Sequence, residues 1–271
     1  GRSEIIYCKD SYHGSTQGSL SVMGNEEYKS KYRPLLPNCK QIIFNDIESL
    51  DIISLKTSAV IIETIQGGSG FKIAENFFLD ELIKRCKKNN VLIIMDGIQT
   101  CYGRTGKLFG FEHTDVIPDI LCIAKGMGGG FPIGAFISSW ENMNKLTFNP
   151  KLGHITTFGG HPVNCAASLA TLKYILKEKI IDSIESKEKL FRTHLKHKKI
   201  KSISGKGLML SIDLYDNKHT NKIVEDCMKD GLLLFYFLFN DCSIRVTPPL
   251  TISNKEIVKG CKIIINNLNK I

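Results

Sequence analysis

Six short apolar runs dominate the first half of the chain: "SEIIYC" (3–8), "KQIIFN" (40–45), "SAVIIE" (58–63), "VLIIMD" (91–96), "ILCIAK" (120–125) and "GAFISS" (134–139). None alternates apolar with polar residues, and strands of that kind are covered on both faces, as in a parallel sheet sandwiched between helices. Between Glu63 and Val91, "AENFFLDELIKRCKKNN" carries apolar residues at helical spacing and closes on Lys, Lys, Asn, Asn, which completes a strand, helix, strand unit. The architecture that follows is α/β, with a mostly parallel central sheet and helices on both faces.

Beyond Pro162 the pattern changes. Residues 163–178 and 182–197 read as two successive helices. "GLMLSIDLY" (207–215), "LLLFYFLF" (232–239) and "SIRVTP" (243–248) read as strands, with a helix at 219–229. The last helix opens at Ser253 with Glu256 three residues on, the sequence form of a capping box. We expect a large unit over residues 1–170 and a smaller α+β unit over 171–271.

A net charge of +9 raises the question of nucleic acid, but the one dense basic run, "HLKHKKIK" (194–201), has no aromatic residue on which a base could stack. It reads as a solvated helix end, and neither nucleic acid nor membrane is an expected partner. The nine cysteines are never spaced as CxxC and several fall inside apolar patterns. That usage predicts free thiols in a reducing, cytoplasmic compartment and no metal site. No apolar run is as long as a membrane span. The chain begins at Gly1 without a methionine and enters a strand almost at once, so the natural protein is expected to begin further upstream.

Glu63, Asp96 and Lys125 each terminate an apolar run. Ligands of open parallel sheets bind beyond the carboxyl ends of the strands, so an acid, an acid and an amine are aimed at one crevice. Lys125 could be a solvated strand-end lysine or a phosphate contact. A P-loop, however, places its glycines before the lysine, and here Gly126, Gly128, Gly129 and Gly130 follow it. A lysine in a dry crevice has its charged form disfavoured, which frees the amine to attack an aldehyde. Asp96 could merely cap the next turn. An acid facing a strand-end lysine also suits a pyridoxal cofactor, where lysine holds the aldehyde and the acid keeps the ring nitrogen protonated.

"MDGIQTCYGRTGKLFGFEH", "PDILCIAKGMGGGFPIGA", "HITTFGGHPVNCAASLA", "GKGLMLSIDL" and "IRVTPPLTIS" together resemble, in order and spacing, the class III pyridoxal-phosphate aminotransferases of fold type I. That group includes ornithine, acetylornithine and 4-aminobutyrate transaminases. The resemblance implies a transaminase of amino-acid metabolism, such as arginine biosynthesis, using pyridoxal 5'-phosphate and 2-oxoglutarate. Lys125 resembles the Schiff-base lysine that also moves the substrate proton, Asp96 the acid at the ring nitrogen, and Gln99 the residue at the ring hydroxyl. Tyr12 resembles the aromatic side chain stacked on the ring, with His13 and Gly14 beside it. Glu63 belongs to the family's Glu-Pro-x-Gln-Gly motif, and Arg245 resembles the arginine that takes the substrate carboxylate. Thr157 resembles a threonine reaching the cofactor phosphate of a neighbouring subunit, which implies a homodimer with shared sites. An aminomutase of the glutamate-1-semialdehyde type, or a subunit that has lost catalysis, are the alternatives.

Four departures from the family pattern stand out. Gly97 replaces a glutamate, and its missing side chain is expected to loosen the turn after Asp96. Thr64 replaces a proline. Gly68 replaces a glutamate that, in ornithine-type members, pairs with the carboxylate-binding arginine, so its absence bears on the substrate. His161 occupies a position commonly held by Asn. The glycine-rich helix N-terminus that cradles the phosphate in the family is expected upstream of Gly1, so these residues alone should hold the cofactor weakly.

Overall fold

A computed structural model describes all 271 residues. Its first sheet has the order β2-β1-β3-β6-β7-β8, built from β1 (Glu4–Cys8), β2 (Cys39–Ile42), β3 (Thr57–Glu63), β6 (Leu92–Asp96), β7 (Ile120–Ile123) and β8 (Ala135–Ser138). The six apolar runs all fall in it. The first five strands are parallel, and β8 alone runs antiparallel, against β7. As an edge strand β8 is not covered on both faces as its composition suggested, and Ile137 is 47% exposed. A two-strand hairpin, β4 (Ile65–Gln66) with β5 (Lys72–Ile73), follows β3 directly and had no clear signal in the sequence.

The helix Asn76–Asn89 turns Phe78, Leu79, Leu82 and Cys86 onto this sheet, and Asn90 ends it in the left-handed conformation (φ 51°) that asparagine tolerates. Those side chains join Ile6, Val60, Ile62 and Met95 in one core. Truncating Leu82 to Ala there would cost ~2–5 kcal/mol.

The second sheet is antiparallel, in the order β11-β12-β10-β9, from β9 (Ile200–Lys206), β10 (Met209–Leu214), β11 (Phe235–Tyr236) and β12 (Ser243–Val246). Two expectations need correction. "LLLFYFLF" is not a full strand: only Phe235 and Tyr236 pair with β12, and the aromatic side chains around them serve other surfaces. The basic run is also not simply a helix end. The helix stops at His194, and from Ile200 the chain enters β9, whose polar alternation hid it. The helices Thr220–Lys229 and Asn254–Asn269 pack behind this sheet through Ile223, Val224, Cys227, Ile257, Cys261 and Ile264. The capping box forms: the Ser253 hydroxyl accepts from the Glu256 amide, and the Glu256 carboxylate accepts from the Ser253 amide at 2.8 Å. The helix Pro162–Lys177 spans the expected boundary near residue 170, and its Ile175 still packs in the first core. All nine cysteines are free. No helix is long and apolar enough to cross a membrane.

Candidate active site

Strand register brings the two acids together. Glu63 at the end of β3 pairs with Asp96 at the end of β6, so both leave the sheet at one height, and both are buried. One Asp96 oxygen lies 2.8 Å from Nδ1 of buried His13, and the other accepts from the Ile98 amide at 3.0 Å. The His13 Nε2 is buried with no protein partner. Glu63 accepts the Tyr12 amide (3.2 Å) on one oxygen and the Gly67 amide (2.8 Å) on the other. Burial lifts its pKa to about 7, and the charge of Asp96 adds to that; His13 and the two amides oppose it.

Lys125 follows β7 and lines the cleft, but its side chain is exposed, not sealed in a dry crevice as anticipated. Its pKa is still lowered, first by desolvation from the surrounding protein, with Asp96 pulling the other way. Arg245 lowers it further and Glu63 raises it. The backbone at Lys125 has φ 48°, in the left-handed region where a non-glycine residue is strained. The chain then makes a single turn over Lys125–Gly128 and reverses at Gly129 (φ 57°) before re-entering the sheet as β8. The glycine run thus serves the reversal, not phosphate binding.

These groups share a cleft of ≈ 390 Å³, together with Tyr12, Gln99 and Arg245. A larger cavity of ≈ 490 Å³ adjoins it, meeting it at Gln99, Phe235 and Arg245. Its walls are mostly apolar and it holds neither the lysine nor the paired acids, so the smaller cleft is the candidate site. Arg245, on β12, crosses from the second sheet: its guanidinium sits over the rings of Phe71 (4.9 Å) and Phe237 (5.5 Å) and donates to the Gly67 carbonyl at 3.3 Å. Desolvation lowers its pKa, and Glu63 partly offsets that.

The departures acquire physical causes here. A Cβ at Gly68 would meet the ring of Phe239 at 2.7 Å, and the Phe239 amide donates to the Gly68 carbonyl at 2.9 Å. Tyr28 packs against the same ring, edge-on at 5.2 Å. Gly97 does not loosen its turn. Its amide donates to Cys122 O at 2.8 Å, its carbonyl accepts from the Cys101 amide at 3.0 Å, and the Cys101 thiol takes the space a side chain would need.

Thr157 stands on an exposed segment outside the cleft, and His161 precedes the helix Pro162–Lys177, also outside it. Sequence reasoning missed three groups of contributors, six residues in all. Phe235, Tyr236 and Leu238 wall the cleft, from the aromatic run that was read as strand. Phe71 and Phe237 seat the arginine. Arg104, inside the quoted "YGRTGK" motif, donates to Leu208 O (2.9 Å) and Pro248 O (2.6 Å), tying the start of β10 to the end of β12 at one end of that antiparallel pair. Burial, with the charge of Arg245 beside it, lowers the Arg104 pKa to about 10.

The family model for class-III aminotransferases matches residues 1–268. The chain is 39% identical over 276 aligned positions to an acetylornithine aminotransferase of Caldanaerobacter subterraneus, covering 100% of this chain and 68% of that protein. It is 39% identical over 261 positions to an ornithine aminotransferase of Bacillus cereus, covering 94% of this chain and 64% of the relative. Among solved structures, the ornithine aminotransferase of Toxoplasma gondii, which holds PLP at partial occupancy in its active site, superposes with a TM-score of 0.91 at 29% identity. That match covers 100% of this chain and 65% of the other. A Bacillus anthracis aminotransferase gives a TM-score of 0.92 at 25% identity, covering 100% and 70%. The chain therefore spans about two thirds of the length of these relatives.

Proposed function

The chain belongs to the class-III aminotransferases, and on that premise we propose that it is a PLP-dependent transaminase moving an amino group between a small amino compound and 2-oxoglutarate. The observation that carries the reading is the convergence of Lys125, Asp96 and Arg245 on one cleft. The residues present suit the cofactor's ring and aldehyde: a buried carboxylate for a pyridinium nitrogen and an amine with a lowered pKa for a carbonyl. When bound, PLP supplies an electron sink that makes the proton on the substrate's amine-bearing carbon removable.

The chain's own residues do the rest. Lys125, whose charged form desolvation disfavours, would hold the cofactor aldehyde and carry the proton at its Nζ. Asp96, oriented by His13, would keep a proton on the ring nitrogen. Tyr12 would cover a ring face and Gln99 would meet the ring hydroxyl. Glu63 stands behind them, holding the backbone at Tyr12 and Gly67. Arg245, already oriented by two aromatic rings, takes a substrate carboxylate in its fork of donors.

The relatives' names favour an acetylornithine-like or ornithine-like donor, and the reading places the enzyme in the cytoplasm. It also assigns Thr157 to the phosphate of a second copy's cofactor, in a homodimer with shared sites. Exposed Ile155 and Phe158, flanking Thr157 in sequence, supply apolar surface for that contact. We keep residues 1–170 and 171–271 as the cofactor-side and smaller units.

Mixing the chain with PLP should produce an absorption band near the visible that Lys125→Ala abolishes. A panel of amino donors with 2-oxoglutarate then identifies the substrate. Absence of the band even with PLP in large excess, or its persistence in Lys125→Ala, would overturn the reading.

A further inference from the structure

Arg245 and the cofactor-side residues come from different sheets, yet one side chain joins them. The Arg245 Nη2 donates to the Gly67 carbonyl, and the Gly67 amide donates to Glu63 Oε1 at 2.8 Å. The other Glu63 oxygen accepts from the Tyr12 amide at 3.2 Å, in the loop that carries His13 to Asp96. Gly67 has little freedom between these partners: a Cβ there would stand 2.5 Å from Gln99 Oε1 and 3.2 Å from Glu63 Oε1. The residue that receives the guanidinium is therefore crowded on its Cβ side by Gln99 and Glu63, and its amide is held by Glu63.

We infer that Glu63 is a positioning residue for Arg245: its single carboxylate, gripping the amides of Tyr12 and Gly67, sets the carbonyl that orients the guanidinium. Glu63 touches neither substrate nor reacting atoms in this role. The inference rests on the transaminase reading, in which Arg245 receives the substrate carboxylate. It goes beyond that reading by making the carboxylate subsite depend on a strand-end acid of the other sheet.

The alternative is that Glu63 is only a nearby negative charge, and the two ideas predict opposite signs. A bare anion beside Arg245 weakens anion binding, so removing it should tighten that binding. A clamp does the reverse. The Glu63→Gln amide keeps the shape but presents one N–H where an acceptor is required, so one of the two backbone amides, Tyr12 or Gly67, loses its partner and the grip on both at once is broken.

The experiment uses the PLP-loaded chain and titrates glutarate, an unreactive dicarboxylate, by calorimetry, with thermal melting and the cofactor spectrum as controls. Glu63→Gln should weaken glutarate binding about tenfold while the spectrum is retained. Unchanged or tighter binding overturns the inference. Should Glu63→Gln fail to fold, Glu63→Asp keeps the charge but is too short to span both amides: weaker binding supports the clamp, and unchanged binding overturns it. Arg245→Ala separates the two levels. A wild-type chain that takes no PLP, or whose glutarate affinity ignores Arg245→Ala, sinks the transaminase reading and the inference with it. Arg245-dependent binding that is indifferent to Glu63 sinks the inference alone.

Discussion

His13 and Asp96 are joined through Nδ1 and a carboxylate oxygen at 2.8 Å, both side chains buried and 83 residues apart in sequence. The imidazole fixes the direction in which the carboxylate faces the cleft. Replacing His13 with Ala would leave that oxygen of Asp96 without its partner. We expect PLP affinity to fall roughly ten- to a hundredfold, the equivalent of losing a buried hydrogen bond to a charged group. An absorbance titration with PLP checks this, and an unchanged affinity would show that Asp96 needs no such support.

Gly68 and Phe239 should behave as a coupled pair. Gly68→Ala forces a methyl group against a ring that packs on Tyr28, and overpacking of that kind costs ~1–3 kcal/mol. In a Phe239→Ala background the same change should cost distinctly less. A double-mutant cycle from denaturant melts measures the coupling, and strict additivity would contradict the steric explanation.

Glu63 gives the stability a definite pH dependence. Its pKa rises from the ordinary 4.5 to about 7 in the folded chain, mainly through burial. Folding therefore favours the protonated form. The contribution to stability is fully present below about pH 4.5 and is lost as pH rises through 7, a swing on the order of 3 kcal/mol. Relative to Glu63→Gln, the wild-type chain should gain stability as pH falls across that window. Parallel curves for the two proteins would refute it.

Ser253→Ala removes the hydroxyl of the capping box at the last helix. About 1 kcal/mol of stability should go with it, lowering the melting temperature by roughly 2–4 °C. Ser253 does not line the cleft, so PLP uptake should not change.

Much of the fold was legible because burial writes itself into composition. Runs such as "SAVIIE" and "VLIIMD" have one stable use, and their terminal acids mark where the sheet opens. The cleft residues of the first sheet followed from that geometry and from the family resemblance. What escaped was set by contacts between distant segments. "LLLFYFLF" has a strand's composition, yet its side chains are claimed by the cleft, by Arg245 and by Gly68. The polar β9 gave no apolar signal, and the exposure of Lys125 depends on how the neighbouring turn folds back. The effect of Gly97 was misjudged for the same reason, because Cys101, four residues later, fills the space it leaves.

The pairing of Glu63 with Asp96 across β3 and β6 also limits how such a chain can vary in length. One residue inserted into or deleted from either strand would shift one acid by about 3.3 Å and turn its side chain to the opposite face of the sheet. The same slip would also turn Ile62 or Met95, both wholly or almost wholly buried, off the face on which it packs. Length changes in this part of the chain are thus confined to the connections between strands, and the spacing of the two acids is inherited along with the core.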